Sequence, residues 1–315
     1  MEVEFPGLGW EFTIDNVALR IGNFSLYWYA VIIATGMLLA VLYAFKTCKR
    51  FGIKDDPMIN VIITGVFFAL LGARAYYVLF NLSAFDTFWD VINIRDGGMA
   101  IYGGVIAAFV SGWIACRVNK VNVMAMFDIT GIGFLLGQAI GRWGNFANQE
   151  AFGGPTDLPW GMQSINTGNV PVHPCFLYES LWCFAGFIAL HFIGKKFYKF
   201  KGQLFLMYLL WYGLGRGWIE GLRTDSLWLI DGVIRVSQLL AVVCVVVTVP
   251  LLILGFRGKL FQRADAQGEE TAAVEGSEET AELPEAAASE ESEETAPAEE
   301  SEEAAPAEES EEAEN

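Results

Sequence analysis

The ten residues Gly141-Arg142-Trp143-Gly144-Asn145-Phe146-Ala147-Asn148-Gln149-Glu150 follow an apolar run that ends at residue 140. They place an arginine, two asparagines and a glutamate within nine residues. Such groups are unfavourable in a membrane unless they bind something polar. A guanidinium matches the oxygens of phosphate or carboxylate, which indicates an anionic ligand. The structural alternative is a helix end capped by the asparagines, although capping requires neither Arg142 nor Glu150.

The chain around this stretch has the composition of a membrane protein. Of its 315 residues 54% are apolar and 14% aromatic, more than is usual in soluble domains. Seven segments are apolar enough, and nearly long enough, to cross a bilayer, which takes about 20 residues. They are residues 24–45, 57–80, 100–118, 123–140, 176–193, 203–220 and 234–256. Because isolated strands cannot span lipid, we predict an all-α, polytopic integral membrane protein with seven transmembrane helices in residues 1–263.

Residues 264–315 differ in character from the rest. No lysine or arginine follows Arg263, whereas 21 acidic residues do, so the net charge of −17 belongs to this tail. The sequence Ala-Pro-Ala-Glu-Glu-Ser-Glu-Glu occurs twice, at 296–303 and 305–312. A segment with so little aliphatic bulk cannot bury enough apolar area to fold. We therefore predict a disordered acidic tail, solvated and without a specific partner, although a partner-binding role is the alternative.

The basic residues predict the orientation of the spans. Thirteen lysines and arginines fall in connections on one side, which is therefore cytoplasmic by the positive-inside rule. The N-terminus is then extracytoplasmic and the C-terminus cytoplasmic. The opposite side carries arginines only, mostly beside motifs, and this indicates an anion site there. Arg142 is expected to follow the fourth span and Arg223 the sixth.

Other candidates have structural alternatives. Tyr29 and Tyr102 are suited to hydrogen bonding but are also typical of the aromatic belt at a membrane interface. His173 could simply cap a helix. Cys175 has no activating neighbour except His173, so we do not expect it to be a nucleophile. The five cysteines have no paired spacing, so neither disulfides nor a metal site is predicted.

These motifs together resemble the bacterial prolipoprotein diacylglyceryl transferases. Residues 141–153 are similar to the signature of that family. Further matches, in the same order, run through residues 20–256: Trp28-Tyr29, Gly72-Ala73-Arg74 with Tyr77-Val78, Gly97-Gly98-Met99 with Tyr102-Gly103-Gly104, His173-Pro174 with Leu177-Tyr178-Glu179, Leu222-Arg223-Thr224-Asp225, and Ser237-Gln238.

The resemblance implies a bacterial plasma-membrane enzyme that needs no metal or cofactor. It would move the diacylglyceryl group of phosphatidylglycerol onto the lipobox cysteine thiol of a prolipoprotein, forming a thioether and releasing glycerol 1-phosphate. We therefore expect phosphatidylglycerol, lipobox signal peptides and membrane lipids as partners, and no nucleic acid. The candidate catalytic residues are Arg142, Arg223, Tyr29, Tyr102, Glu150 and His173. The candidate substrate-binding residues are Arg142, Asn145, Asn148, Gly153, Gly103, Gly104 and Arg74.

One position departs from the pattern of the family, in which many members have histidine where this chain has Tyr102. A tyrosine hydroxyl with an ordinary pKa of about 10 is a poor base at neutral pH. Either Tyr102 only hydrogen-bonds the lipid phosphate, or a neighbouring arginine makes it more acidic. His173 and Glu150 are the alternative bases.

Two other function classes stay open at the level of sequence. In an anion transporter, Arg74, Arg142 and Arg223 would line a pathway, but the intramembrane charges cluster toward one side and no internal repeat is present. A lipid-binding scaffold without catalysis is the second alternative.

Overall fold

The computed structural model describes residues 2–22, 24–94, 97–230 and 232–264. From residue 265 onward the predicted acidic tail lies outside these described residues. Within them, helices dominate: α1 (Trp28–Thr47), α2 (Asp55–Phe80), α3 (Phe88–Ile92), α4 (Ile101–Val118), α5 (Val123–Asn148), α6 (Cys175–Lys196), α7 (Gln203–Leu222) and α8 (Val236–Phe256).

Six of the described helices are both long and apolar enough to cross a membrane: α1, α2, α4, α5, α6 and α8. The protein is therefore mostly helical and is a multi-pass membrane protein. Helix α7 also has sufficient length, at 20 residues. It contains Arg216 and Glu220 and is not among the six helices that are apolar enough to count as spans. The seventh span consequently stays a prediction.

Small antiparallel sheets, which an all-α prediction omitted, accompany the helices. Strand β1 (Glu2–Phe5) lies between β2 (Trp10–Thr13) and β5 (Gln163–Ser164), β3 (Val17–Ile21) pairs with β4 (Phe24–Tyr27), and β6 (Trp228–Ile230) pairs with β7 (Ile234–Arg235). The polar–apolar alternation of β1 explains its place, because Val3 and Phe5 point into a small core with Met162, Val172 and Phe176. Strand β4 also occupies the first residues of the segment predicted as the first span.

Helix α5 lies at the centre of the helix packing. It packs against α1, α6 and α7, while α2 packs against α4 and α7 against α8. Glycines allow the close approaches, as is usual between membrane helices. At Gly103 of α4, a Cβ atom would collide with the backbone oxygen of Gly72 on α2 and with Tyr76.

The end of α5 is the main difference from the sequence prediction. We expected this span to end at residue 140, with Arg142 following it, but the helix continues to Asn148. Its glycines do not terminate the helix. Gly144, for example, faces the ring of Tyr29, which lies 2.9 Å from the place a Cβ would occupy. Arg142 and Asn145, three residues apart, therefore share one face of a regular helix.

Candidate active site

Glu179, near the start of α6, is the centre of an ion-pair cluster. Its side chain is only 8% exposed. Its Oε2 lies 2.6 Å from Nη2 of Arg142. Its Oε1 lies 3.0 Å from Nη1 of Arg216 and 3.5 Å from Nη1 of Arg223. Because a buried carboxylate is unfavourable unless it is paired, this glutamate draws together arginines from α5, from α7 and from the residue after α7.

Two more carboxylates hold the same arginines. Nη2 of Arg216 lies 2.6 Å from Oε2 of Glu220, one turn further along α7. Arg223 donates two hydrogen bonds to Asp225, from Nε at 2.9 Å and from Nη2 at 2.7 Å. The hydrogen bonding from Arg223 holds the pKa of the Asp225 carboxyl below its usual value. The linked groups are three guanidiniums and three carboxylates, so their formal charges cancel.

Arg142 is the most exposed of the three arginines. Its side chain is 25% exposed, compared with 14% for Arg216 and 11% for Arg223. Its Nη2 is paired with Glu179, and its Nη1 donates to Oδ1 of Asn145 at 3.2 Å. A guanidinium has five N–H donors, so these two contacts leave capacity for an anion.

A groove of about 500 Å³ lies between α1 and α5 and reaches this arginine. Arg142, Asn145 and Tyr29 line one end. The remaining wall is mostly apolar, with Ala44 and Met126 toward the other end. From Tyr29 to Ala44, α1 rises about 22 Å at 1.5 Å per residue. The groove therefore combines a polar end with an apolar wall about as long as a fatty acyl chain.

The turn after α5 places Glu150 beside this polar end. Gln149 adopts a left-handed conformation, with φ of 55°, and the backbone N–H of Glu150 returns to the carbonyl of Asn145. This reversal lets Nδ2 of Asn145 donate to Oε1 of Glu150 at 2.9 Å, and Asn148 donates to the same oxygen at 3.4 Å. Asn145 thus links Arg142 to Glu150.

Gly153 joins the turn after α5 to the end of α7. Its N–H donates to the carbonyl of His173, and it forms a β-bridge with Arg223. A Cβ at this position would come within 2.7 Å of the His173 side chain and 2.9 Å of the Leu222 carbonyl oxygen. Only glycine fits here, and the β-bridge from Gly153 fixes the position of the Arg223 backbone.

The other sequence candidates occupy different surroundings. Tyr29 lines the groove and is 39% exposed. Tyr102 is equally exposed, in the first turn of α4, next to Ile101, which also lines the groove. Gly103 and Gly104 face α2 and serve the contact between these two helices. Tyr102 itself does not line the groove, whereas both glycines have a packing role.

His173 belongs to a short hydrogen-bonded row outside the cluster. Its Nδ1 lies 3.3 Å from the hydroxyl of Tyr178, which accepts a hydrogen bond from Nε1 of Trp160 at 2.8 Å. The His173 side chain also packs against Gly153. These contacts connect the histidine to the loop between α5 and α6.

Arg74, predicted to bind substrate, is occupied by backbone carbonyls. Its Nε donates to Val91, its Nη1 to Gly97 and Gly98, and its Nη2 to Asp90, at 2.5–2.9 Å. Four of the five N–H donors of a guanidinium are therefore used within residues 90–98.

Comparison with known proteins gives the family. Residues 16–254 match the profile of a family described as prolipoprotein diacylglyceryl transferase. The chain belongs to this family. The phosphatidylglycerol–prolipoprotein diacylglyceryl transferase of Clostridioides difficile is 43% identical over 234 residues, which are 74% of this chain and 92% of the relative.

Other members of the family are similarly close. The enzyme of the same name from Finegoldia magna is 42% identical over 241 residues, covering 76% of this chain and 95% of its own. One from Clostridium perfringens is 42% identical over 258 residues, covering 78% and 97%. These matches agree with the resemblance that the sequence motifs indicated.

The site residues expected from the sequence did not include Glu179, Arg216 and Glu220. For Glu179 and Glu220 a purely structural ion pair was the alternative to a functional role. Their position in the sequence could have indicated a role in the site, because all three are charged and lie toward the same side of apolar segments as Arg142 and Arg223. The described residues bring no three His, Cys, Asp or Glu side chains together in a way that could hold a metal ion.

Proposed function

We propose that the protein transfers the diacylglyceryl group of phosphatidylglycerol to the lipobox cysteine thiol of prolipoproteins. The product is a thioether, and glycerol 1-phosphate leaves. Membership of the diacylglyceryl transferase family supports this activity. The observation that carries it on the structural side is an acyl-sized apolar groove that ends at Arg142.

In this proposal the groove holds an acyl chain and Arg142 binds the phosphate. The lipid phosphate carries one negative charge as a diester, which a planar guanidinium can grip through two oxygens. Asn145 and Tyr29 lie at the same end of the groove and are positioned to donate to the headgroup. Glu179 fixes the orientation of Arg142 through the 2.6 Å contact, so that little reorganisation is required on binding.

The reaction is a displacement at carbon. The thiolate sulfur attacks the glyceryl carbon that bears the phosphate, a carbon–sulfur bond forms, and the carbon–oxygen bond to phosphate breaks. The bonding electrons leave with glycerol 1-phosphate, which gains negative charge. We assign the stabilisation of that charge to Arg142, supported by Arg223, because positioned donors aimed at developing charge lower such barriers.

The thiol must lose its proton, because the thiolate is the nucleophile. We propose Glu150 as the acceptor, since Asn145 and Asn148 both hold its Oε1 and leave Oε2 available. Tyr102 is assigned to hydrogen bonding of the headgroup from the first turn of α4. His173, whose Cβ lies beside Gly153, is retained as the alternative base.

We further propose that α7 also spans the membrane, making seven spans, with the N-terminus extracytoplasmic and residues after Arg257 cytoplasmic. The asymmetry of thirteen basic residues supports this orientation. A cysteine introduced at Asp157 should react with an impermeant maleimide on intact cells, whereas one at Glu270 should react only after lysis. The reverse pattern would contradict the orientation.

The activity can be tested with the purified full-length protein in detergent. Phosphatidylglycerol and a lipobox peptide should yield a peptide heavier by one diacylglyceryl group, together with one glycerol phosphate per peptide. A peptide with serine in place of the lipobox cysteine should give neither product. Failure of well-folded protein to modify the cysteine peptide, across several phosphatidylglycerol concentrations and acyl lengths, would refute the function.

A further inference from the structure

Arg74 has the most fully used side chain among the predicted substrate ligands. Its four carbonyl acceptors come from two short stretches: Asp90 and Val91 in α3, and Gly97 and Gly98 just before α4. The guanidinium also lies 5.1 Å from the ring centre of Phe85. A planar fork of five donors suits this arrangement, because it can reach several carbonyls in different directions.

The carbonyls that Arg74 binds need an external donor. The last carbonyl groups of any helix have no partner within the helix, and in the five-residue α3 those of Asp90 and Val91 are of this kind. Gly97 and Gly98 both have positive φ, at 83° and 74°, and this turn points their carbonyls back toward α2. Arg74 therefore ties α3 and the glycine turn to α2 through one side chain.

A further hydrogen bond connects this part of α2 to the start of α4, which borders the groove. The N–H of Ala100 donates to the carbonyl of Ala73, immediately beside Arg74, at 3.0 Å. Helix α4 begins at the next residue, Ile101, which lines the groove that Arg142 closes. The position of Ile101 at the groove, and that of the adjacent Tyr102 in the same helical turn, is thus set by contacts to residues 73 and 74.

We propose that Arg74 is a positioning residue that fixes the first turn of α4 at the lipid groove, and that it is not itself a ligand of the phosphate. The expected effect of Arg74 on catalysis rests on the proposed diacylglyceryl transfer. The hydrogen bonds from Arg74 that hold α3 and the glycine turn against α2 do not depend on that function. Loss of the tie lets Ile101 and Tyr102 shift, and misplacement of about 1 Å at a site can lower rates by up to about 10²-fold.

The adjacent glycines provide a matched test. A Cβ at Gly98 would lie 2.6 Å from Nη1 of Arg74 and 2.7 Å from the ring of Tyr77, so Gly98→Ala must displace the guanidinium. A Cβ at Gly97 meets nothing within 4 Å. Both substitutions impose a similar backbone penalty at positive φ. They therefore differ in their effect on Arg74 and on the adjacent ring of Tyr77.

The first readout is kcat/KM for phosphatidylglycerol. We expect Arg74→Lys and Gly98→Ala each to lower it about 10-fold, because an ammonium is a point charge and cannot span four carbonyls. Gly97→Ala should stay within about twofold of the wild type. The double variant Arg74→Lys/Gly98→Ala should be no worse than about threefold below either single variant, since residues that act through one contact are not additive.

The second readout does not need activity. A spin label at Trp89→Cys, in a Cys244→Ala background whose other cysteines are all buried, reports the mobility of α3. Trp89 is 76% exposed, so the label should not disturb packing. The label should become more mobile with Arg74→Lys and with Gly98→Ala, and stay unchanged with Gly97→Ala.

The two readouts separate the possible failures. The proposal would be overturned if Arg74→Lys lowered kcat/KM while Gly98→Ala had no more effect than Gly97→Ala, and if the label stayed immobile in all three variants. Arg74 would then be a ligand of the phosphate, as the sequence suggested. Wild-type activity of Arg74→Lys with a mobile label would overturn the link between the tie and the groove. If the wild type itself transfers no diacylglyceryl group, the proposed function fails, and an immobile label in Arg74→Lys would still refute the tie.

Discussion

Two buried carboxylates bind the two ends of α7, and their partners differ in kind. Asp128, 0% exposed near the start of α5, accepts hydrogen bonds from the Tyr198 hydroxyl at 2.7 Å and from the backbone N–H groups of Gly202 at 2.7 Å and Phe205 at 2.8 Å. Glu179 is almost as buried but contacts three arginines. Asp128 is satisfied by fixed neutral donors, whereas the partners of Glu179 have N–H groups to spare.

The kind of hydrogen-bond partner therefore distinguishes a carboxylate that stabilises the fold from one that belongs to the candidate active site, and it does so better than the degree of burial. The two backbone donors on Asp128 lie at the start of α7, where the free N–H groups and the helix dipole favour a negative charge. Nothing in that arrangement is left for a ligand. At the other end of α7, Glu179 aligns guanidiniums of which one, Arg142, faces the groove.

The largest expected effect is at Arg142. Arg142→Ala should lower kcat by roughly 10²–10³-fold, the usual cost of removing one positioned electrostatic donor, and Arg223→Ala should approach it. Arg142→Lys should also be damaging, although the charge is kept. Initial rates against phosphatidylglycerol concentration would measure this. Well-folded alanine variants with wild-type turnover would show that the arginines are not part of the site.

Asp128→Asn should affect stability and leave turnover intact. The amide nitrogen would face the N–H of Gly202, so a buried donor loses its acceptor at a cost of about 2 kcal/mol. Thermal unfolding in detergent should occur at lower temperature, while kcat at a temperature where the variant is folded should match the wild type. A variant with normal stability and low kcat would place Asp128 with the functional carboxylates.

Glu179→Gln should show the opposite combination. The amide can still accept from Arg142 or Arg216 but no longer neutralises them, so the guanidiniums are held less firmly. We expect kcat to fall about 10-fold, the equivalent of about 1.4 kcal/mol, with a smaller change in unfolding temperature than for Asp128→Asn. Equal loss of stability in the two variants, with no loss of kcat for Glu179→Gln, would remove the contrast.

A smaller effect is expected at Tyr102. If its hydroxyl donates to the headgroup, Tyr102→Phe should weaken transfer a few-fold, in line with the loss of about one hydrogen bond. Tyr102→His, which restores the residue typical of the family, should keep the activity. A fully active phenylalanine variant would demote Tyr102 to a packing residue.

The smallest effect is expected from the tail. A chain that ends at Arg263 should transfer lipid at nearly the wild-type rate, because residues 265–315 offer almost no aliphatic surface for packing. The purified truncated and full-length proteins should be compared at the same lipid concentration. Loss of most of the activity would reveal a role that the composition does not predict.

The sequence predicted the long apolar helices, because hydrophobic runs are local signals. It did not predict the ion pairs of Glu179 with Arg142, Arg216 and Arg223, because these join residues far apart in the chain. It misplaced the end of α5, since Gly141 and Gly144 suggested termination, although at Gly144 the missing side chain makes room for Tyr29. The carbonyl partners of Arg74 had no sequence signal at all, because any residue has a carbonyl. The short strands were missed for a similar reason, since strands of two to five residues carry too little pattern.

The cancellation of charge within the arginine cluster has a consequence for turnover. Three bare guanidiniums would attract a doubly charged phosphate monoester strongly and release it slowly, and product would then limit the rate. With Glu179, Glu220 and Asp225 each paired to these arginines, attraction is confined to the donors that touch the phosphate. Glycerol phosphate should therefore be a poor competitive inhibitor, and the next lipid should find the groove vacant.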